Sequence, residues 1–153
     1  MSYIFLRKPL ESESSDIRDL IAPYSKDGLL LFRDELEILN SIDTFIIAEY
    51  NSSIVGCISY YKYGHGLYEI RSLAVNPEHR KKGLGSKLVK AIITTISSDP
   101  MPKIFALSYS PDFFKKNNFL EVPKETFPEK IWKDCSKCAN LEKCGETALI
   151  YSS

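Results

Sequence analysis

The run Arg80-Lys81-Lys82-Gly83-Leu84-Gly85 combines three cations with two glycines in six residues. Glycines let backbone N–H groups approach a ligand with no side chain in the way. Leu84 to Ile96 is amphipathic at helical spacing, so the loop opens a helix whose first turn offers N–H groups and a positive dipole end. Cations and helix start together make a socket for a diphosphate. The spacing is neither G-x-x-x-x-G-K-[ST] nor G-x-G-x-x-G, which excludes a P-loop and a dinucleotide fold on their own patterns. A second group of residues could act on a substrate. Glu69 is a carboxylate at the start of an apolar strand, and Arg33 and Arg71 could receive carboxylates through bidentate pairs.

The elements that must position these residues follow from local pattern. Tyr3 to Arg7 reads as a strand ended by Lys8-Pro9. Ser15 or Asp16 can cap a short helix through Ile21, stopped by Pro23. Leu29 to Arg33 is an apolar patch ending in a cation, and Asp34 to Ile42 reads as a second helix. Thr44 to Tyr50 and Ile54 to Tyr63 form a hairpin about Asn51-Ser52-Ser53. Gly64-His65-Gly66 turns into the strand Leu67 to Val75, and Asn76-Pro77-Glu78 leads to the basic loop. In the helix that follows, Leu84, Leu88, Ala91, Ile92 and Ile96 share one face. Lys103 to Ser108 is a strand, Asp112 to Lys116 a short helix, and Phe119 to Val122 and Thr147 to Tyr151 are the last strands. Strands first, then alternating helices and strands, predict an α/β (α+β) fold with helices on both faces of a mixed sheet.

At 153 residues the chain is expected to be one domain, 1–153, with no repeat or linker. Its 20 basic and 20 acidic residues cancel, which argues against nucleic acid as a partner. No apolar run approaches a membrane span and no export signal is visible, so a cytoplasmic protein with reduced thiols is expected.

The loop fits the pattern Arg/Gln-x-x-Gly-x-Gly/Ala after a strand, and Glu69-Ile70-Arg71-Ser72-Leu73-Ala74-Val75-Asn76-Pro77 precedes it. Together these stretches resemble the central strand and acyl-CoA pyrophosphate loop of the GNAT superfamily of N-acetyltransferases. The resemblance implies a mostly antiparallel sheet splayed at the acyl-CoA site, with acetyl-CoA as co-substrate. It implies cofactor contacts by Arg80, Lys81, Lys82, Gly83, Leu84, Gly85 and Ser86. It also implies a strand bulge whose backbone amides, around Leu73, Ala74 and Val75, face the thioester and pantetheine. Amide formation requires a neutral amine, and an α-amino group with a pKa near ~8 is mostly protonated at neutral pH. By its place in the family pattern, Glu69 is the expected catalytic base. The family's helix motif Tyr-x-x-x-Gly-Phe is Phe114-Lys115-Lys116-Asn117-Asn118-Phe119 here, so the usual tyrosine acid is absent and no acid is assigned.

Phe105-Ala106-Leu107-Ser108 followed by Phe113-Phe114 is similar to N-acetylglutamate synthases, as are Leu31-Phe32-Arg33, Glu35-Leu36 and Ile42 to Phe45. Ile131-Trp132-Lys133-Asp134-Cys135-Ser136-Lys137-Cys138 and Cys144-Gly145-Glu146 resemble the C-terminus of short forms lacking an amino-acid kinase domain. This implies L-glutamate as acceptor, in the first step of arginine biosynthesis, with Arg33, Arg71 and Ser108 as substrate residues. Glu146 near the last strand leaves glutamine or another amino acid open. Transfer to another small amine or a protein N-terminus, and a non-catalytic acyl-CoA sensor, are the alternatives; a homodimer is compatible with all of them. Cys135-x2-Cys138-x5-Cys144 has three of the four ligands that structural zinc needs, and only Asp134, Cys57 or His65 could complete it by folding. The thiols are read as structural, His65 and His79 as loop residues, and no metal is assigned.

Overall fold

The computed structural model of the chain describes residues 3–64, 66–80, 82–123 and 146–152. Two compact units divide it, Met1–Ile104 and Phe105–Ser153. The described residues hold seven strands, all antiparallel to their neighbours within each unit. The expected α/β fold with a mostly antiparallel sheet and flanking helices is what forms.

In the first unit β1 (Phe5–Arg7), β2 (Phe45–Tyr50), β3 (Ser53–Lys62) and β4 (Leu67–Val75) lie side by side in that order. The β2–β3 turn puts Asn51 and Ser52 at φ 49° and 65°. Two successive positive φ values match the twist of a hairpin, and Asn is among the residues that tolerate them. On one face of the sheet, α1 (Ser14–Lys26) and α2 (Glu35–Asn40) bury Ile17, Ile21 and Ile38 against Phe45, Ile47, Cys57 and Ala74. On the other face lies α3 (Leu84–Ile96), with Leu88, Val89 and Ile92 wholly buried. Gly56 is what lets α3 approach. A Cβ there would stand 3.1 Å from Leu88 Cδ1 and 3.3 Å from Leu84 Cδ2.

The entry to α1 differs from the expectation. Neither Ser15 nor Asp16 caps it; a 3-10 turn, Glu11–Glu13, leads straight in. Glu13 accepts from the Leu10 N–H at 2.7 Å and is itself held by Arg7 at 2.7 Å. Arg7 also pairs with Glu49 of β2 at 2.9 Å. These contacts, chiefly the Arg7 hydrogen bond, hold the Glu13 carboxyl below its ordinary range. Pro23 does not end the helix either, since α1 continues to Lys26. Proline removes one N–H but spares the following bonds, and the Asp27 N–H still reaches the Pro23 carbonyl at 3.2 Å. Tyr24 packs against the core cluster, so tertiary contact holds the last turn where local propensity would not. Asp34 lies outside α2 as its N-cap, accepting from the Glu37 N–H at 2.8 Å.

The second unit pairs β7 (Thr147–Tyr151) with both β5 (Lys103–Ser108) and β6 (Phe119–Val122). Phe114 of α4 (Pro111–Lys115) is buried edge-on to Phe113 and Phe119, at 5.2 and 5.1 Å between ring centroids. Asn118, at the glycine position of the helix motif, has φ 69°. It therefore adopts the left-handed conformation that glycine serves there, which Asn tolerates better than most residues.

Gly56→Val overpacks the β3–α3 contact and should lower the unfolding free energy by about 1–3 kcal/mol. Urea denaturation followed by circular dichroism checks it; unchanged stability would mean that α3 shifts away at no cost.

Candidate active site

The feature that shapes the site is a break in the β3–β4 ladder. Cys57 pairs with Ala74 and Ser59 with Arg71, so Ser72 and Leu73 together face the single residue Ile58. Ser72 has φ 55°, a conformation few non-glycine residues adopt. This is a β-bulge, which interrupts the ladder and bends the strand. It falls where the resemblance required one, ahead of Leu73, Ala74 and Val75. Ala74 is in the core, while Leu73 and Val75 are half-buried.

Ser72 is held by two contacts, with a third on its neighbour. Its Oγ accepts from Arg33 Nη1 at 2.9 Å, its carbonyl accepts from the Cys57 thiol at 3.2 Å, and the neighbouring Arg71 carbonyl accepts from Ser59 at 3.2 Å. The Cys57 thiol is fully buried and burial pushes it up to about 12. It stays protonated at neutral pH and is no nucleophile.

Upstream of the bulge, alternation along β4 sends Glu69 and Arg71 to the same face. Tyr61 of β3 pairs across from Glu69. Glu69 is buried, and its Oε1 accepts from Arg71 Nε at 2.8 Å and from the Tyr63 hydroxyl at 2.9 Å. The Tyr63 hydroxyl in turn accepts from Arg71 Nη2 at 2.9 Å. The Arg71 guanidinium lies over the Tyr61 ring at 4.4 Å.

Arg33, just before α2, is one-tenth exposed. Nη2 donates to Ser41 Oγ at 3.1 Å, and the guanidinium lies 5.3 Å from the Phe45 ring centre. Nε forms an ion pair with Glu37 Oε1 at 2.5 Å. Burial lowers the Arg33 pKa while Glu37 opposes the change; the group stays charged. Arg33 and Arg71 both line a concavity of about 350 Å³, with Lys62, Asp43, Ser41 and Thr44.

Downstream of the bulge, Gly83 takes the N-cap of α3 at φ 74° with no side-chain cap. Among the described residues, its chain neighbours and own helix backbone aside, no atom lies within 4 Å of where its Cβ would be. Lys82 is exposed, and Leu84 anchors the first turn in the core. Gly85 and Ser86 are half-buried in that turn; Lys81 lies outside the described residues. Arg80 donates to the Tyr24 hydroxyl through Nε at 3.2 Å and Nη2 at 2.7 Å, and stacks on its ring at 5.3 Å. The same hydroxyl donates to the Val75 carbonyl. Tyr24 thus ties the end of β4 to the start of the loop. A left-handed glycine, an uncapped helix start and an anchored arginine fit a diphosphate.

The sequence reading missed Tyr63, Tyr24, Lys62 and Ser41. Ser108 belongs to the second unit, where its Oγ accepts from the Ser110 N–H at 2.9 Å. Cys135, Cys138 and Cys144 lie outside the described residues, as does His65. No helix among the described residues is long and apolar enough to cross a membrane.

Residues 10–119 match the Acetyltransferase (GNAT) family. The chain belongs to that family. It is an acyltransferase that uses acetyl-CoA, and it is homologous to amino-acid acetyltransferases. An uncharacterized N-acetyltransferase of Chlorobaculum tepidum is 35% identical over 139 residues, 91% of this chain and 90% of that protein. The amino-acid acetyltransferase of Neisseria meningitidis is 27% identical over 87% of this chain, which spans only 31% of that protein. Among solved structures, N-acetylglutamate synthase from Neisseria gonorrhoeae, complexed with coenzyme A and N-acetyl-glutamate, superposes with a TM-score of 0.87. It is 25% identical, over 97% of this chain and 35% of that one. A Mycobacterium tuberculosis protein in complex with CoA has a TM-score of 0.83 at 19% identity, over 97% of this chain and 99% of that one, a likeness of fold alone.

Tyr24→Phe removes the acceptor that seats Arg80 and should weaken CoA binding about 5- to 10-fold, the effect of one charge-assisted hydrogen bond near the surface. Isothermal calorimetry with CoA reads it; an unchanged Kd would remove Tyr24 from the binding account.

Proposed function

We propose that the chain transfers acetyl from acetyl-CoA to the α-amino group of a small amino acid. L-Glutamate is the first candidate and L-glutamine the second, in the opening step of arginine biosynthesis in the cytoplasm. The whole chain works as one N-acetyltransferase domain on this reading. The observation that carries it is the concavity lined by Arg33 and Arg71. Its volume suits a small molecule, and two arginines, each able to pair bidentately, favour a carboxylate-bearing acceptor. Arg71 both lines the concavity and holds Glu69, so an acceptor seated there would bring its amine towards the base.

Glu69 would take the amine proton as the amine attacks the thioester directly in a ternary complex; the C–N bond forms, the C–S bond breaks, and CoA leaves as a thiolate that takes its proton from water. Direct attack is supported by Cys57, the cysteine present among the described residues, being a buried and protonated thiol. The backbone amides at Leu73 and Val75 would stabilise the developing oxyanion, that of Ala74 being turned to Cys57. Arg33 would receive a substrate carboxylate in place of Glu37, whose side chain is half exposed and therefore displaceable.

Two variants test the roles separately. Arg33→Lys loses the planar fork and should raise KM for L-glutamate about 10-fold or more while KM for acetyl-CoA holds. Glu69→Gln should cut kcat about 10²- to 10⁴-fold with CoA affinity intact. Thiol release from acetyl-CoA measures both; a Glu69→Gln chain with full turnover would contradict the assignment of the base.

A further inference from the structure

We infer that Tyr63 is a positioning residue for Glu69, fixing which carboxylate oxygen meets the acceptor amine. The inference rests on the reading of Glu69 as the base. A buried carboxylate is costly unless its charge is paired and its oxygens are hydrogen-bonded. Arg71 supplies the charge; Tyr63 supplies geometry. Its hydroxyl donates to Glu69 and accepts from Arg71, so the three side chains close a ring of contacts at 2.8, 2.9 and 2.9 Å. Both donors fall on Oε1, and among the described residues no hydrogen bond falls on Oε2. Oε1 is thereby committed to structure and Oε2 is left to take the amine proton.

The placement of Tyr63 is itself well determined. It lies just beyond β3, where its N–H donates to the Leu67 carbonyl at 2.8 Å, and its ring packs edge-on to Tyr61 at 4.7 Å between centroids. It is as buried as Glu69, at 6% against 7% exposure. A phenol fixed at its backbone and along its ring presents its oxygen at one point. Arg71 alone would leave the carboxylate one bond about which to swing, and a second donor on the same oxygen removes that freedom.

The test is a double-mutant cycle on kcat, using acetyl-CoA and L-glutamate, or L-glutamine if that is the acceptor turned over. Tyr63→Phe removes one oxygen and keeps the ring contacts, so the chain should fold, with its melting temperature as the check. The expected result is a fall in kcat of about 10-fold with KM for both substrates unchanged. In a Glu69→Gln background the same substitution should have no further effect, because there is no base left to position. An unchanged kcat in Tyr63→Phe, or an equal fall in both backgrounds, would overturn the inference while leaving Glu69 as the base. A Glu69→Gln chain as active as the unmodified one would overturn the reading beneath it as well, and the single variant tells the two failures apart.

Discussion

The site depends on one irregularity, the extra residue in β4 at Ser72. Side chains alternate along a strand, so inserting one residue reverses which face each later residue addresses. Before the bulge, Glu69 and Arg71 share the face carrying α1 and α2. After it, Ala74 is again on that face, in the core with Cys57, and the ladder interruption falls beside the residues assigned to the thioester. A strand in regular register could not serve both ends. The positive φ of Ser72 is an unfavourable conformation for a residue with a Cβ. It is offset by contacts on either side: Arg33 on the hydroxyl and Cys57 on the carbonyl. Substrate residue and bulge support are thus partly the same residue, Arg33.

That sharing gives the arrangement its economy of charge. Arg33 is paired with Glu37, Arg71 with Glu69, and each pair has one member lining the concavity. Burying an isolated cation or carboxylate would shift the group towards its neutral form. Pairing offsets that cost, and in a region of low dielectric a fixed charge acts strongly on an incoming one. The two pairs differ in what they can release. Glu37 is half exposed whereas Glu69 is nearly buried, so an acceptor can exchange for the first anion and must react beside the second.

Much of this was legible in the residues. The period of β4, the amphipathic spacing from Leu84 to Ile96 and the glycines after Lys82 fix a strand, a loop and a helix with little help from the rest of the chain. The motif then identifies the family, and the bulge at Ser72 falls inside the phrase that carried the resemblance. What was not legible is contact over long separations. Tyr24 and Arg80 are 56 residues apart and meet only because α1 runs past Pro23. Arg33 and Ser72 are 39 apart, and nothing in either neighbourhood marks the other. Tyr63 is close to Glu69 in sequence, yet an aromatic at a strand end reads as core unless its hydroxyl's partner is known. Asn118 shows the reverse case: the departure from glycine left the conformation intact, because Asn tolerates the same positive φ.

The central claim is that the acceptor is a small amino acid recognised by its carboxylate. The most direct measurement is thiol release from acetyl-CoA by the unmodified chain against the standard amino acids, their decarboxylated amines and a short peptide with a free N-terminus. Saturable turnover with glutamate or glutamine, and none with the matching amine, is the result the account predicts. Equal turnover with the decarboxylated amine or the peptide, or none with any acceptor despite tight acetyl-CoA binding, would contradict it.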